Sequence, residues 1–220
     1  VEGVKATNEF LNTRFEVELL FCTENYLDNN HQQETIALTE SELKKISSLK
    51  TPNNVLGVFK IPKQDHFVDK GLIVALDGVN DPGNLGTIIR LCDWFGVKQI
   101  ICSLDTVDCY NPKVVQATMG SLSRISIFYK DLKTFFNTTK LPIYGAVMEG
   151  EIVYTSKLKK DGILLLGNEA NGISKEIESF ITHKITVPRF GDLQQTESLN
   201  VATATAILLN EFRRSHFIQK

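Results

Sequence analysis

Asp77-Gly78-Val79-Asn80-Asp81-Pro82-Gly83-Asn84-Leu85-Gly86-Thr87-Ile88-Ile89-Arg90 is the stretch that decides the fold of this chain. It follows an apolar run, 72–76, that is typical of a buried strand, and it leads into a helix-like stretch. Two carboxylates, two amides and an arginine surround this one turn, which is more than a simple chain reversal needs. Because ligands of α/β sheets bind beyond the carboxyl ends of strands, the turn predicts a functional site.

The turn itself has a mechanical interpretation. Pro82 and the glycine after it predict a tight turn, and Asn84 is placed to cap the following helix, from which Arg90 projects. Gly86 weakens that helix, so we expect another group to approach it closely. A capped helix with a surface arginine is one alternative. A dinucleotide-binding turn is a second, but its glycine spacing differs, and Asp81 stands where phosphate needs bare amides.

A second polar loop follows the apolar run 162–166. It begins Gly167-Asn168-Glu169 and turns at Asn171-Gly172. Glu169 is therefore expected at the carboxyl end of the sheet, and Ser174 is a possible cap for the next helix.

The third loop joins Val187-Pro188-Arg189-Phe190-Gly191 to Ser198-Leu199-Asn200-Val201. The residues after it are small and apolar, which suits a tightly packed helix. Ser198 is a natural N-cap for that helix, and the free amides of a helix N-terminus suit a carboxylate, a phosphate or ring acceptors.

Strands and helices alternate through the second part of the chain, which predicts an α/β fold with a largely parallel sheet and helices on both faces. The predicted strands are 72–76, 98–102, 143–147, 162–166 and 184–187, and the predicted helices are 85–95, 111–119, 131–137, 173–180 and 198–213.

The first part, 1–62, is predicted to be a small separate α/β domain. A helix at 5–11 precedes a strand at 15–21, a capping box of Thr39 and Glu42 opens a second helix, and 55–59 is a final strand. Residues 63–71 are polar and aperiodic, which predicts a linker to a domain spanning 72–220. The chain starts at Val1 inside what looks like an element, so we expect an N-terminal truncation.

Composition limits the class of protein. The 220 residues are 42% hydrophobic, enough for a sizeable core, and the net charge of -2 neither indicates nor excludes nucleic-acid binding. We see no signal-peptide pattern in the given residues, and no apolar run in them reaches the roughly 18 residues that a membrane span needs. The four cysteines lack metal-ligand spacing, so we expect no metal and free thiols in a reducing cytoplasm. From the apolar runs we also expect no membrane partner.

Together the three loops resemble the motifs of the SpoU/TrmH family of RNA 2′-O-ribose methyltransferases. The family pattern D-x-V-x-D-P-x-N-x-G-x-I-x-R is complete from Asp77 to Arg90, and the other two loops match the remaining motifs, so the resemblance covers 72–213. It implies a C-terminal domain whose parallel sheet is threaded into a trefoil knot. It also implies that 1–62 is a small substrate-binding domain for RNA.

The resemblance implies S-adenosylmethionine as cofactor, bound largely by backbone groups at Gly167, Val187 and Leu199. It also implies Arg90 as the key catalytic residue. Because arginine stays protonated in proteins, we expect it to bind RNA phosphate or stabilise the developing alkoxide rather than act as a free base. The remaining catalytic positions that the motifs imply are Asn84, Glu169, Ser198 and Asn200.

The implied partners are RNA and a second copy of the chain, bound through the knot region. The extra N-terminal domain favours ribosomal over transfer RNA. Lys113 and Arg124 are either phosphate contacts or solvated charges. Two other classes stay open, a non-catalytic RNA-binding protein of this fold and a nucleotide-dependent oxidoreductase. Arg189, where many members have Met, and the long segment 192–197 depart from the family pattern.

Overall fold

The first part of the chain forms a three-stranded sheet with short helices in the computed structural model, which describes residues 1–27, 35–190 and 198–217. Its elements are α1 (Val4–Leu11), β1 (Val17–Cys22), α2 (Glu24–Leu27), β2 (Ile36–Ala37), α3 (Glu40–Ile46) and β3 (Val55–Phe59). The predicted capping box of Thr39 and Glu42 is present. The sequence did not indicate α2 and β2, because one helical turn and a two-residue strand are too short to show a period.

The second part alternates strands and helices. Its elements are β4 (Leu72–Leu76), α4 (Pro82–Trp94), β5 (Gln99–Cys102), α5 (Pro112–Thr118), β6 (Ser126–Tyr129), α6 (Leu132–Thr138), β7 (Ile143–Ile152), β8 (Gly162–Leu166), α7 (Lys175–Glu178), β9 (His183–Thr186) and α8 (Val201–Phe217). The six strands lie in the order β6-β5-β4-β8-β7-β9, and every neighbouring pair is parallel. The predicted parallel α/β sheet is confirmed.

The two central strands explain why the sheet is covered on both faces. Every residue of β4 and of β8 is buried, as their uninterrupted apolar sequences require. Val74 and Leu76 face one core with residues of α4, α5 and α8, whereas Ile73 and Ala75 face the other with residues of α6 and α7. Because β4 and β8 are parallel neighbours, their carboxyl ends lie side by side at one edge.

The segment between the two parts is more ordered than its composition predicts. Phe67 packs edge-on against Phe128 and Phe135, with ring centroids 5.4 and 5.3 Å apart. Phe10 and Phe15 of the first part join the core that lies under α4. The domain boundaries at 62 and 72 stay a prediction.

Three element predictions are corrected. β6 was missed, because four residues at the edge of the sheet are too few for a clear alternation. The helix predicted at 173–180 is the single turn α7. The last helix begins at Val201 rather than at residue 198. The other predicted strands and helices of 72–213 are present with ends shifted by up to five residues.

Candidate active site

Three loops meet at the carboxyl edge of the sheet, after β4, β8 and β9. Asp81 is the N-cap of α4, the helix that follows the first loop, since its Oδ1 accepts a hydrogen bond from the Asn84 backbone N at 2.7 Å. The prediction that Asn84 caps this helix is therefore wrong. Asp81 takes that role because it precedes Pro82, and proline at the first helical position fixes where the helix starts. The Asn84 side chain is left available for other contacts.

Asn84 connects all three loops. Its Nδ2 donates to Glu169 Oε1 at 2.8 Å, and its Oδ1 accepts from Asn200 Nδ2 at 2.9 Å. The amide thus uses both of its ends, one toward a carboxylate and one toward another amide. The structure brings together residues that the sequence places more than 80 positions apart.

The third loop is fixed by Asn200 rather than by Ser198. Asn200 Oδ1 accepts hydrogen bonds from the backbone N of Ala202 at 2.9 Å and of Thr203 at 3.2 Å. Asn200 is therefore the N-cap of α8, and the prediction of Ser198 in that role is wrong. The cap lies one residue before the helix, which is where asparagine is favoured. Ser198 is exposed and faces a cavity instead.

Two residues that we did not single out hold the first and second loops together. Asn168 Nδ2 donates to the Gly78 carbonyl at 2.6 Å, while its Oδ1 accepts from the Ala170 backbone N at 2.8 Å. Asp77 Oδ2 accepts from the Ser174 backbone N at 2.7 Å. Both residues belong to the motif stretches, so their polar side chains directly after buried strands were the available signal.

Arg90 lies on α4 about one and a half turns beyond Asn84. Its side chain is exposed and makes no hydrogen bond or ion pair to any residue in the described part of the chain. A cation in that condition is available for an external anion. Arg90 does not line the large cavity described next.

A cavity of about 1190 Å³ opens between the second and third loops. All three residues predicted to bind the cofactor line it, namely Gly167, Val187 and Leu199. Glu169 and Ser198 also line it, whereas Asn84 and Asn200 do not. The wall residues that the sequence did not indicate include Met148 and Leu208. Apolar side chains of this kind carry no chemical signature until the fold places them together.

Gly167 allows two stretches of backbone to approach each other at the cavity wall. A Cβ atom added to it would lie 2.1 Å from the Gly172 carbonyl carbon and 2.2 Å from the Ile173 nitrogen. Only glycine fits such a contact. The cavity therefore combines apolar walls with exposed main chain, which suits a nucleoside-sized molecule held by backbone groups and fits S-adenosylmethionine.

The predicted RNA contacts differ in their surroundings. Lys113 is exposed in the first turn of α5, and its ammonium group has no partner among the described residues. The Arg124 guanidinium instead bonds Asp93, with Nη2 2.8 Å from Oδ2, and also reaches Glu9. Arg124 therefore ties the first part of the chain to the second, and a role in phosphate binding would require it to leave these carboxylates.

The structure also bears on metal sites, cysteines and membrane spans, within the residues that it describes. Within 1–27, 35–190 and 198–217, no group of three or more His, Cys, Asp or Glu side chains is arranged to hold a metal. The four cysteines are buried free thiols. No helix in those ranges combines the length and apolar character that a bilayer span requires. Arg189 lines the cavity, while Gly191 and the long segment 192–197 lie outside the described residues.

Comparison with known proteins connects this geometry to a family. The model of the SpoU rRNA Methylase family matches residues 71–210. A Bacillus subtilis protein named 23S rRNA (guanosine(2553)-2′-O)-methyltransferase is 28% identical over 180 residues, covering 80% of this chain and 71% of that protein.

Solved structures resemble the chain over nearly its whole length. A TrmH-family protein from Porphyromonas gingivalis is 39% identical, with a TM-score of 0.87, covering 97% of this chain and 88% of that one. An AdoMet-bound rRNA methyltransferase from Sinorhizobium meliloti is 28% identical, with a TM-score of 0.84, covering 97% of this chain and 86% of its own. The shared fold therefore includes the first part of the chain as well as the second.

Proposed function

Since the chain belongs to the SpoU rRNA Methylase family, we propose that it transfers a methyl group from S-adenosylmethionine to a ribose 2′-oxygen of ribosomal RNA. The observation that carries this proposal is the junction of Glu169, Asn84 and Asn200 beside the large cavity, with Arg90 on the same helix as Asn84 and without a partner among the described residues. When bound, the cofactor supplies an electrophilic methyl group. The chain's own residues then have to place the ribose and stabilise the charge on its oxygen.

Arg90 is proposed to supply that charge stabilisation. A guanidinium keeps its proton, so it binds the flanking RNA phosphate or the alkoxide that develops as the 2′-hydroxyl loses its proton. A phosphate oxygen or another group accepts this proton. The absence of a carboxylate partner for Arg90 among the described residues supports this role, because its donors remain available to the substrate.

Glu169, Asn84 and Asn200 are proposed to orient the ribose and the third loop. Asn200 connects the site to the start of α8, because its Nδ2 donates to Asn84 while its Oδ1 accepts from the first backbone amides of the helix. Ser198 faces the cavity from the same loop and is proposed to complete the hydrogen bonds around the reacting groups. Gly167, Val187 and Leu199 are proposed to hold the cofactor through their backbone.

The trefoil knot, the homodimer and the cytoplasmic location belong to the same proposal. Insertion of β8 between β4 and β7, followed by packing of α8 against α4, supports a threaded C-terminal segment. Thr203 and Asn210 lie on an exposed face of α8, which we propose as the contact with a second copy. Free thiols support a reducing compartment.

Residues 1–62 are proposed to recruit the RNA, with Lys113 as a phosphate contact on the second domain. Ribosomal RNA is favoured over transfer RNA because the chain carries this additional unit and resembles an rRNA methyltransferase along 97% of its length.

The test is methyl transfer from radiolabelled S-adenosylmethionine to protein-free 23S ribosomal RNA, with bulk transfer RNA as the alternative substrate. Digestion to nucleosides should yield a 2′-O-methylated nucleoside from ribosomal RNA. Label found only in transfer RNA would show that transfer RNA, rather than ribosomal RNA, is the substrate. Cofactor and RNA binding without transfer would favour the non-catalytic alternative.

A further inference from the structure

The edge of the six-stranded sheet opposite the candidate active site carries a row of lysines. Lys98, Lys70, Lys160 and Lys140 lie one to three residues before β5, β4, β8 and β7, which are neighbours in that order. Strands in a sheet are about 4.8 Å apart, so four such positions span about 14 Å. The lysines therefore form a line along the edge rather than a compact cluster.

These four lysines are exposed, and their ammonium groups have no hydrogen bond or ion pair within the part of the chain that the structure describes. Other lysines of the chain do have carboxylate partners, as Lys60, Lys133 and Lys184 show. The carboxylates nearest in sequence to the row are Asp69, Asp93 and Asp161. Asp93 is engaged by Arg124, whereas Asp69 accepts only a hydroxyl hydrogen bond from Thr139, and neither Asp69 nor Asp161 has a cationic partner among the described residues. Four lysines therefore stand against two carboxylates, which leaves an excess of two positive charges along the row.

The opposite edge carries several carboxylates beside Lys130, which directly follows β6. Asp77, Asp105, Asp131 and Glu169 follow β4, β5, β6 and β8 respectively. The chain as a whole carries a net charge of -2, so the lysine row is a local excess on an otherwise acidic protein. A local row of this kind attracts a polyanion although the chain as a whole is acidic, because local potentials rather than net charge steer association.

Trp94 adds an aromatic surface to this edge. It is the only tryptophan of the chain, it ends α4, and it is 85% exposed four residues before Lys98. Its two chain neighbours both contact arginines, since Asp93 binds Arg124 and the Phe95 carbonyl accepts a hydrogen bond from Arg213 Nε at 2.6 Å. An indole in that position contributes nothing to the core, but it offers a flat face to a ligand.

We propose that this basic edge, defined as Lys70, Lys98, Lys140, Lys160 and Trp94, binds a single-stranded segment of the substrate RNA remote from the methylated ribose. An unpaired base stacks on Trp94 while successive phosphates lie along the lysines. A line of cations matches a phosphate chain better than a single small anion, and stacking on an indole requires an unpaired base. The inference rests on the proposed function, because its ligand is the RNA substrate.

Trp94 fluorescence provides the test, since no other tryptophan contributes. Titration with a short single-stranded RNA of mixed sequence should quench the emission saturably. The triple variant Lys70→Gln, Lys98→Gln, Lys140→Gln should bind more weakly. The slope of its log affinity against log salt should be smaller by about 2, because each phosphate contact with a single strand contributes about 0.7.

The matched control is Lys130→Gln, Lys133→Gln, Lys184→Gln, which removes the same charge from lysines that lie outside 1–62 and already contact aromatic rings or carboxylates. Its salt slope should equal that of the unmodified protein. Equal salt slopes for the two triple variants, or no quenching of Trp94, would overturn the proposal that the basic edge binds RNA. An emission maximum that shifts with protein concentration in the absence of RNA would do so too, because a second copy would then cover Trp94.

Methyl transfer to 23S ribosomal RNA, measured on the same preparations, separates the two proposals. Methyl transfer by the unmodified protein, together with equal salt slopes for the two triple variants, would support the proposed function and overturn only RNA binding by the basic edge. Neither transfer nor RNA binding by the unmodified protein would overturn both.

Discussion

Asn84 and Glu169 are joined by a hydrogen bond of 2.8 Å from Asn84 Nδ2 to Glu169 Oε1, across 85 positions of the chain. The same side chain accepts from Asn200, so its donor and its acceptor are both used. Neither a carboxylate nor an aliphatic side chain offers that combination. The two contacts therefore call for a side-chain amide at this position.

Asn84→Asp should therefore reduce methyl transfer. The new carboxylate would face that of Glu169, and the repulsion would separate the two loops. We expect kcat to fall on the order of 10²-fold, the effect of displacing a positioning group by about 1 Å. Affinity for S-adenosylmethionine should be kept, because Asn84 does not line the cavity.

Asn80→Asp is the matched control for this change. Asn80 lies in the same loop, is exposed, and its side chain has no hydrogen-bond partner among the described residues. The control should retain its kcat. Equal losses in the two variants would contradict a specific role of the Asn84 contacts.

Arg90→Ala should abolish most of the activity without loss of cofactor affinity. Removing one stabilising donor from a reacting site lowers kcat on the order of 10²- to 10³-fold. Calorimetry should give the same S-adenosylmethionine affinity as for the unmodified protein, since Arg90 lies outside the cavity wall. Arg90→Lys keeps a point charge but not the planar fork, so its kcat should be intermediate. A parallel loss of cofactor binding would show that Arg90 acts through the cavity instead.

The sequence indicates which loops carry the chemistry better than it indicates how they are fixed. Gly86 was expected to permit a close approach, and a Cβ atom there would indeed lie 2.4 Å from Ala117 Cβ. The helix caps were misassigned, because Asp81 and Asn84, or Ser198 and Asn200, are equally good caps by residue type. Backbone geometry alone selects Asp81 and Asn200.

The cavity wall was only partly predictable for a different reason. Gly167, Val187 and Leu199 were carried by motifs, whereas Met148 and Leu208 are ordinary apolar residues. Their position depends on which strands become neighbours in the sheet. Because β8 lies between β4 and β7, residues distant in sequence form one wall, and no local periodicity encodes that order.

Gly167→Ala should weaken cofactor binding. The added Cβ would lie 2.1 Å from backbone, so the second loop must move and the cavity wall with it. We expect the dissociation constant for S-adenosylmethionine to rise by about tenfold or more, equivalent to about 1.4 kcal/mol. Titration calorimetry measures it directly.

Gly71→Ala is the control for a general loss of stability. Gly71 has a φ of +80° and no atom within 4 Å of an added Cβ, so the variant carries backbone strain without a clash. It lies at the edge of the sheet opposite the cavity. The control should lose about 1 kcal/mol or more of stability yet bind the cofactor normally. Equal weakening of cofactor binding in both variants would argue against a specific role of Gly167.

Stability should fall at alkaline pH because of the buried thiols. Burial raises the pKa of Cys109 to about 12 and holds the pKa values of Cys92 and Cys102 well above the usual range. Thiols of the unfolded chain ionise near pH 8.5, whereas those of the folded chain keep their protons. Their contribution to stability is therefore complete below about pH 8.5 and declines above it, by about 1.4 kcal/mol per pH unit for each thiol.

Urea unfolding between about pH 8 and pH 10 measures this slope, in a range below most tyrosine and lysine ionisation. Cys102→Ala should be less stable at every pH, because the substitution leaves a cavity. The slope of its unfolding free energy against pH should be shallower by the contribution of one thiol, about 1.4 kcal/mol per pH unit. Val74→Ala, a buried substitution on the neighbouring strand without a titratable group, should lose stability and keep the full slope. Identical slopes for the two variants would show that ionisation of the buried thiols does not govern the alkaline limit.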